Sequence, residues 1–263
     1  MKAPKISVVT VSYNTVHVIA RTLESVLSQT YGNTEYIVID GASTDGAAEL
    51  IRSYADRIDH FVSEPDKGLY DAMNKGIRAA SGDFVLFLNA DDVFADYDVL
   101  SDVAEFIGLH PEADVIYGNS VQVFEYGSYQ VRPGQAYLNH KMCISHQATF
   151  VRTELLRSHP FDTRFRYAAD FEQLSHFYLS GAKFVHFDRD IAHVEMRGGT
   201  TFDHQIESAN ELYDIIASRG VDIEKERRSQ LRRKRLVRFF KRYTPKFISY
   251  PLLRFLAERH KAL

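Results

Sequence analysis

Asn89, Asp91 and Asp92 stand together after five apolar residues, Phe84-Val85-Leu86-Phe87-Leu88. Hard oxygen ligands grouped in this way suit Mg²⁺ or Mn²⁺, and such an ion usually keeps substrate phosphates among its other ligands. The same residues also suit a turn followed by a helix N-cap, because Asp and Asn favour both. A further carboxylate, Asp40, ends the run Tyr36-Ile37-Val38-Ile39, while Thr10, Tyr13 and Asn14 close the run that begins at Ile6. Asp170 stands two residues before Glu172 in a helical stretch. A carboxylate there is suited to general-base work, and equally to a first-turn position stabilised by the helix dipole.

The elements that position these groups follow from apolar runs and periodicity. Continuous apolar segments over 6–13, 36–40, 60–64 and 84–88 read as buried strands. Helical spacing fills the gaps, over about 16–30, from Ser43 or Thr44 as N-cap to about 54, and from Asp66-Lys67-Gly68 onward. Strand–helix alternation of this kind predicts a doubly wound, mostly parallel α/β sheet with helices on both faces. In open sheets of that class, ligands bind beyond the carboxyl ends of the strands, where Asp40 and Asp91 fall. Further on, the pattern predicts a helix over about 97–109, a strand at Val115–Tyr117 and a hairpin around Gly127. It then predicts an inner strand from His146 to Val151, a helix over 168–179, a last strand at Phe184–Phe187 and helices over 203–219 and most of 224–262.

Composition narrows the class. The chain has 263 residues, 45% of them hydrophobic, enough for one sizeable core with an appendage. The single Cys143 excludes an intramolecular disulfide framework and fits a reducing compartment. Met1-Lys2-Ala3-Pro4-Lys5 leads straight into a strand, with no secretory signal pattern. No apolar stretch approaches the ~20 residues needed to span a bilayer. The net charge of −3 divides into −14 over residues 1–223 and +11 from Glu224 onward. The expected organisation is therefore a body at 1–222, with a nucleotide-binding half at about 1–95 and an acceptor half at 96–222, and a basic helical tail at 223–263.

The first half lacks the Gly-x-Gly-x-x-Gly turn of dinucleotide binders and the Gly-Lys-Ser/Thr of a P-loop. Its motifs are Val8-Val9-Thr10-Val11-Ser12-Tyr13-Asn14, Val38-Ile39-Asp40-Gly41-Ala42-Ser43-Thr44-Asp45-Gly46, Glu64-Pro65-Asp66-Lys67-Gly68-Leu69-Tyr70-Asp71-Ala72-Met73-Asn74-Lys75-Gly76 and Leu88-Asn89-Ala90-Asp91-Asp92. In order and spacing these resemble family-2 glycosyltransferases of the GT-A fold, with the closest wording among bacterial enzymes that build surface polysaccharide. The resemblance continues more loosely through His146-Gln147-Ala148-Thr149-Phe150, Ala169-Asp170-Phe171-Glu172 and Gly198-Gly199-Thr200, and it does not reach the tail.

That resemblance implies a nucleotide-sugar donor site and an inverting transfer. Asp40 is similar to the base-reading Asp, with a turn residue as the alternative. Tyr13 is placed to stack on the base or to be half-buried. Thr10, Asn14, Asp66 and Ala90 would line the donor. Lys67 would meet the diphosphate or remain a solvated surface lysine. Asp91 resembles the metal-binding Asp of the Asp-x-Asp motif. The first Asp of that motif is Asn89 here, so one charge is missing and Asn89 takes a neutral supporting role. Asp92 and His193 are subsidiary metal candidates for Mn²⁺ or Mg²⁺. His146 would meet the diphosphate or acceptor, or be a core histidine. Arg197, Gly199 and Thr200 look like a loop closing over the diphosphate, which would keep water out. Asp170 would be the base; Glu172 points about 200° away on a helix and cannot serve the same place.

The tail interleaves Arg227-Arg228, Arg232-Arg233-Lys234-Arg235, Arg238 and Lys241-Arg242 with Leu231, Leu236, Phe239 and Phe240. Basic amphipathic segments of this type bind anionic membrane surfaces, at roughly 1 kcal/mol per cation close to the leaflet. The expected place is the cytoplasmic face of the plasma membrane, with 225–260 as the contact and a glycan or polyprenyl-diphosphate-linked sugar as acceptor. Nucleic acid is not an expected partner, because the body is acidic. Two competing functions are a sugar nucleotidyltransferase and a non-catalytic membrane-docking protein. The former would carry an early Gly-rich, basic phosphate loop, which 10–20 lacks. The latter would have no use for Asp40, Asp91 and Asp170 together.

Overall fold

Ile6–Ser12 forms β1, with every residue buried, and the rest of the sheet is laid on either side of it. β2 (Thr34–Asp40) and β4 (Phe84–Phe87) flank β1 in parallel, and β3 (His60–Ser63) extends the parallel set beyond β2. The full order is β3-β2-β1-β4-β8-β6-β9-β5, with β7 paired to β6. Here β5 is Val93–Phe94, β6 is Val115–Phe124, β7 is Gly127–Val131, β8 is Thr149–Arg152 and β9 is Phe184–Glu195. β8 runs antiparallel to both β4 and β6, while β9 returns parallel to β6. The computed structural model describes residues 3–125, 127–133, 138, 141, 143–196, 204–243, 250 and 251.

Alternate residues of the strands enter two separate cores, so the sheet is covered on both faces. Val9, Val11, Ile37, Ile39, Val85 and Phe87 pack on one side. That side is covered by α3 (Leu69–Ala79), α5 (Thr153–Ser158), α6 (Ala169–Leu179) and α7 (Gln205–Ser218). Ile6, Val8, Tyr36, Val38, Phe84 and Leu86 pack on the other, against α1 (Ile19–Leu27), α2 (Ala47–Arg52) and α4 (Val99–Leu109). The fold is thus mixed α/β with a doubly wound sheet, as strand–helix alternation predicts.

Several local expectations change. The cap of α2 is neither Ser43 nor Thr44: Gly46 precedes the helix at φ 98°, and Asp45 Oδ1 accepts the Ala47 N–H at 3.0 Å. The inner strand starts at Thr149, because His146–Ala148 form a 3₁₀ turn. β5 is too short to announce itself, and β9 runs eight residues past Phe187. The hairpin at Gly127 is present, with φ 135° at that glycine.

The tail begins as α8 (Glu224–Tyr243). Its first turns pack on the body: Arg227 pairs with Asp214 at 2.8 Å and Leu231 lies against the core. Among the described residues, no helix is long and apolar enough to cross a membrane.

The mouth of the sheet has a counterpart at its opposite end. Glu35, at the start of β2, is buried and accepts from Ser7 Oγ, Ser81 N–H, Ser81 Oγ and Lys5 Nζ. Burial alone would raise its pKa, but the hydrogen bonds outweigh it and hold the carboxyl at about 2. A depressed pKa contributes stability above the unfolded value, lost as pH falls through the folded one. Glu35→Gln should therefore lose about 1–3 kcal/mol in urea unfolding above pH 5. The gap to wild type should close as pH falls from about 4.5 towards 2; a gap independent of pH would remove the carboxylate from this account.

Candidate active site

The mouth of the sheet is built from the loops after β1, β2 and β4. After β1, Asn14 takes φ 52°, donates its N–H to Ser43 Oγ at 2.8 Å and accepts the Thr44 N–H at 2.9 Å. It therefore welds this loop to the one after β2. Asp40 is fully buried at the root of the second loop. Its Oδ2 accepts Ser43 N–H at 2.9 Å and Ser63 Oγ–H at 2.7 Å, while Oδ1 accepts the Ser43 hydroxyl. The turn role is thus realised, and a second lone pair remains on Oδ1. Tyr13 stands 65% exposed above this floor. A Cβ on Gly41 would meet Asp66 Oδ2 and lie 3.3 Å from Tyr13 Cδ2. Tyr13, Gly41 and Asp66 consequently share one rim that depends on the missing side chain. Asp66 Oδ1 also accepts the Gly68 N–H at 2.8 Å, and Lys67 is exposed beside it.

The Thr10 hydroxyl is taken up within the sheet. The residue is 0% exposed, and its hydroxyl donates to Leu88 O at 2.8 Å and meets Tyr36 Oη at 3.1 Å. A hydroxyl already paired within the sheet braces β1 against β4 instead of facing a ligand.

The loop after β4 carries the acidic group. Ala90 N–H reaches Val11 O, and Asp91 turns at φ 85°. Positive φ is costly for a non-glycine residue, so the turn needs holding in place. Thr22 Oγ accepts the Asp91 N–H and donates to Asp92 O, both at 2.9 Å. Arg21 donates to Asp91 Oδ1 at 2.7 Å and lies 3.7 Å from Glu195 Oε2. The Asp91 side chain keeps 27% exposure. Asn89 Oδ1 is buried with no hydrogen-bond partner. A buried acceptor in that condition is costly until a donor or cation meets it. Asn89 and Asp91 therefore fit a hard divalent cation as oxygen ligands of one turn.

Asp92 does a different job. Its Oδ1 accepts Glu195 N–H at 2.9 Å and its Oδ2 accepts from Gln147 Nε2 at 3.2 Å. Burial pushes its carboxyl up to about 7. Each oxygen thus carries one hydrogen bond within the frame, and the residue is 5% exposed. His193 sits on β9 opposite Val93, near Asp96.

Asp170 lies in the first turn of α6. Its Oδ2 accepts from His146 Nδ1 at 3.0 Å, and its Oδ1 accepts from Tyr70 Oη at 3.1 Å and Phe171 N–H at 2.9 Å. Burial would raise its pKa, but these hydrogen bonds prevail and hold it below the usual carboxylate range. The group is ionised and aimed. Glu172 instead pairs with His159 at 3.1 Å, as the helical geometry requires. His159, Glu172 and His176 form a group with metal-ligand chemistry, but the two imidazoles stack at 3.8 Å and 6°. Parallel rings do not converge their in-plane lone pairs on a common ion.

Asp40, Asn14, Tyr13 and Asp66 thus come together at one side of the mouth. Asn89 joins His146 at 3.1 Å, and through it Asp170. Arg197, Gly199 and Thr200 lie outside the described residues. Sequence reasoning missed Arg21, Thr22, Tyr70, Gln147 and Glu195. Only Tyr70 and Gln147 had a signal, since both sit inside quoted motifs; Arg21 and Thr22 look like ordinary members of α1.

Thr22→Val would leave the Asp91 N–H unpaired at a strained turn. It should lower unfolding stability by about 1–3 kcal/mol, with Thr22→Ser near wild type. Equal stability of the two variants would remove Thr22 from this role.

Comparison with known proteins bears on the family and the fold. Residues 7–170 match the sequence profile described as Glycosyl transferase family 2. A PGL/p-HBAD biosynthesis glycosyltransferase of Mycobacterium bovis (strain BCG / Pasteur 1173P2) is 35% identical over 180 residues, covering 65% of this chain and 69% of the relative. The crystal structure of S. aureus TarS 1-349 with UDP superposes with TM-score 0.66 at 23% identity, covering 90% of this chain and 72% of that one. A Pyrobaculum calidifontis mannosyltransferase with GDP-Man and Mn²⁺ gives TM-score 0.66 at 20% identity, covering 87% and 69%. The structural likenesses speak for the fold, and the profile spans more than half of the sequence. The chain belongs to glycosyl transferase family 2.

Proposed function

We propose that this glycosyltransferase inverts configuration, moving a sugar from a UDP-sugar to a hydroxyl of a glycan or lipid-linked sugar. The observation that carries the reading is the ionised Asp170 carboxylate, held by three donors and linked through His146 to the Asp91 turn. Only one displacement is needed, and no enzyme nucleophile. The acceptor oxygen attacks the anomeric carbon while Asp170 takes its proton. The bond from that carbon to the diphosphate oxygen breaks, and the electron pair leaves with UDP.

Asp40, Tyr13, Asn14 and Asp66 are assigned to the base and ribose of the donor. The free lone pair on Asp40 Oδ1 suits a uracil N–H, and Tyr13 suits stacking. Asp91 would hold Mn²⁺ or Mg²⁺ with Asn89 beside it, and a bound cation would neutralise charge developing on the leaving diphosphate. Lys67, Arg197, Gly199 and Thr200 are assigned to the diphosphate. Solved neighbours with UDP-GlcNAc, and with GDP-Man and Mn²⁺, support a donor of this class.

The relative named for PGL/p-HBAD biosynthesis supports a surface-glycan or glycolipid acceptor. The basic residues of 225–260 would hold the enzyme on an anionic membrane surface beside such an acceptor. Arg227 is spent on the body, which leaves Lys225, Arg228, Arg232, Arg233 and Arg235 as exposed cations among the described residues for that surface.

The deciding assay incubates the protein with UDP-sugars and Mn²⁺, with and without lipid-linked acceptor, and measures released UDP. Acceptor-dependent release is expected, whereas pyrophosphate from UTP and sugar 1-phosphate would overturn the reading. Asp170→Asn should lower kcat by about 10²–10⁴-fold, with UDP affinity unchanged by calorimetry. Gly41→Ala should do the reverse, weakening UDP binding about tenfold or more while thermal unfolding changes little, because its Cβ intrudes on Asp66 and Tyr13.

A further inference from the structure

We infer that His146 is the positioning residue for Asp170, fixed in one tautomer by Asn89, so that the base is held by the same turn that presents Asp91. The inference rests on the reading of Asp170 as the base.

The tautomer follows from the partners. Asn89 Nδ2 carries only donors and lies 3.1 Å from His146 Nε2, so Nε2 accepts. The imidazole proton is then on Nδ1, where it donates to Asp170 Oδ2 at 3.0 Å. Each ring nitrogen is thus matched to one partner of opposite kind. Second-shell hydrogen bonds of this type fix both the tautomer and the ring orientation.

The consequence is a carboxylate with one free direction. A carboxylate offers about four lone-pair sites. Tyr70 Oη and Phe171 N–H occupy Oδ1, and His146 occupies one site on Oδ2. One site on Oδ2 remains, and the side chain is 15% exposed. An acceptor hydroxyl meets the carboxylate at that site. Without His146 the group could turn about its last torsion and lose that aim. Displacements of this size cost on the order of 10²-fold in rate.

The connection also spans elements. His146 opens the 3₁₀ turn before β8, Asn89 follows β4, and Asp170 opens α6. Gln147, the next residue, donates to Asp92 at 3.2 Å. One turn therefore registers the acidic loop against the base. The other charged or titratable groups facing this pair are Tyr70 on α3, Asp92 beyond His146, and Glu211 on α7, which accepts the Tyr167 and Ala168 N–H groups just before α6.

The test compares His146→Leu, His146→Asn and His146→Gln for Mn²⁺-supported UDP release with acceptor, across pH. An Asn amide reaches the place of Nδ1 and a Gln amide that of Nε2. His146→Leu should lower kcat by about 10–10²-fold and move the acid limb of kcat/KM to higher pH, because Asp170 has lost a hydrogen bond to its ionised form. His146→Asn should recover most of the rate and the wild-type limb; His146→Gln should not. Where the Leu variant does not fold, the Asn and Gln pair decides. Equal rates and limbs for Asn and Gln, or an unmoved limb in Leu, would overturn the inference while leaving Asp170 as base. Wild-type activity in Asp170→Asn would remove the reading of Asp170 itself, which is a separate failure.

Discussion

The structure turns on a carboxylate that is used as a joint. Asp92 is 5% exposed, and its two oxygens accept from the backbone N–H of Glu195 and the amide of Gln147. Taking an acid out of water costs several kcal/mol unless it is paired or hydrogen-bonded, and the rise of its pKa to about 7 records that cost. What it secures is adjacency. The end of β9 and the turn before β8 are far from the loop after β4 in sequence, and both reach Asp92 there. The next residue back, Asp91, can then remain partly exposed in a left-handed conformation. The constraint runs from the buried acid to the presented one.

A second joint lies one step along the same turn. His146 and Gln147 point to different partners, one towards Asp170 and one towards Asp92. A 3₁₀ turn suits this, because consecutive residues leave it about 120° apart. An uninterrupted strand from His146 would have sent them to opposite faces of the sheet. The break at Ala148 is thus part of how the site is assembled, and it explains why β8 starts late.

Much of the frame was legible from the sequence. Buried strands at 6–12, 34–40 and 84–87 announce themselves as apolar runs, and Asp40 and Asp91 announce themselves as polar residues ending them. The separation of Asp170 from Glu172 was also legible, because helical geometry forbids a shared target. What could not be read was partnership. Thr10 has the type of a ligand residue, yet Tyr36 and Leu88 claim its hydroxyl from neighbouring strands. Arg21 sits in α1 with no motif around it and meets Asp91 only through folding. β5 has two residues, too few for any period, and exists because β9 offers it an edge.

The neutral residue at Asn89 makes sense of the charges around Asp170. A general base must be ionised at working pH and still hold a proton well enough to accept one in the transition state. A carboxylate at position 89 has no N–H to give, and could not donate to His146 Nε2 as the Asn89 amide does. An amide in the same place carries no charge: its N–H occupies Nε2, and His146 in turn donates from Nδ1 to Asp170. The missing charge at Asn89 leaves Asp91 as the partly exposed carboxylate of this turn.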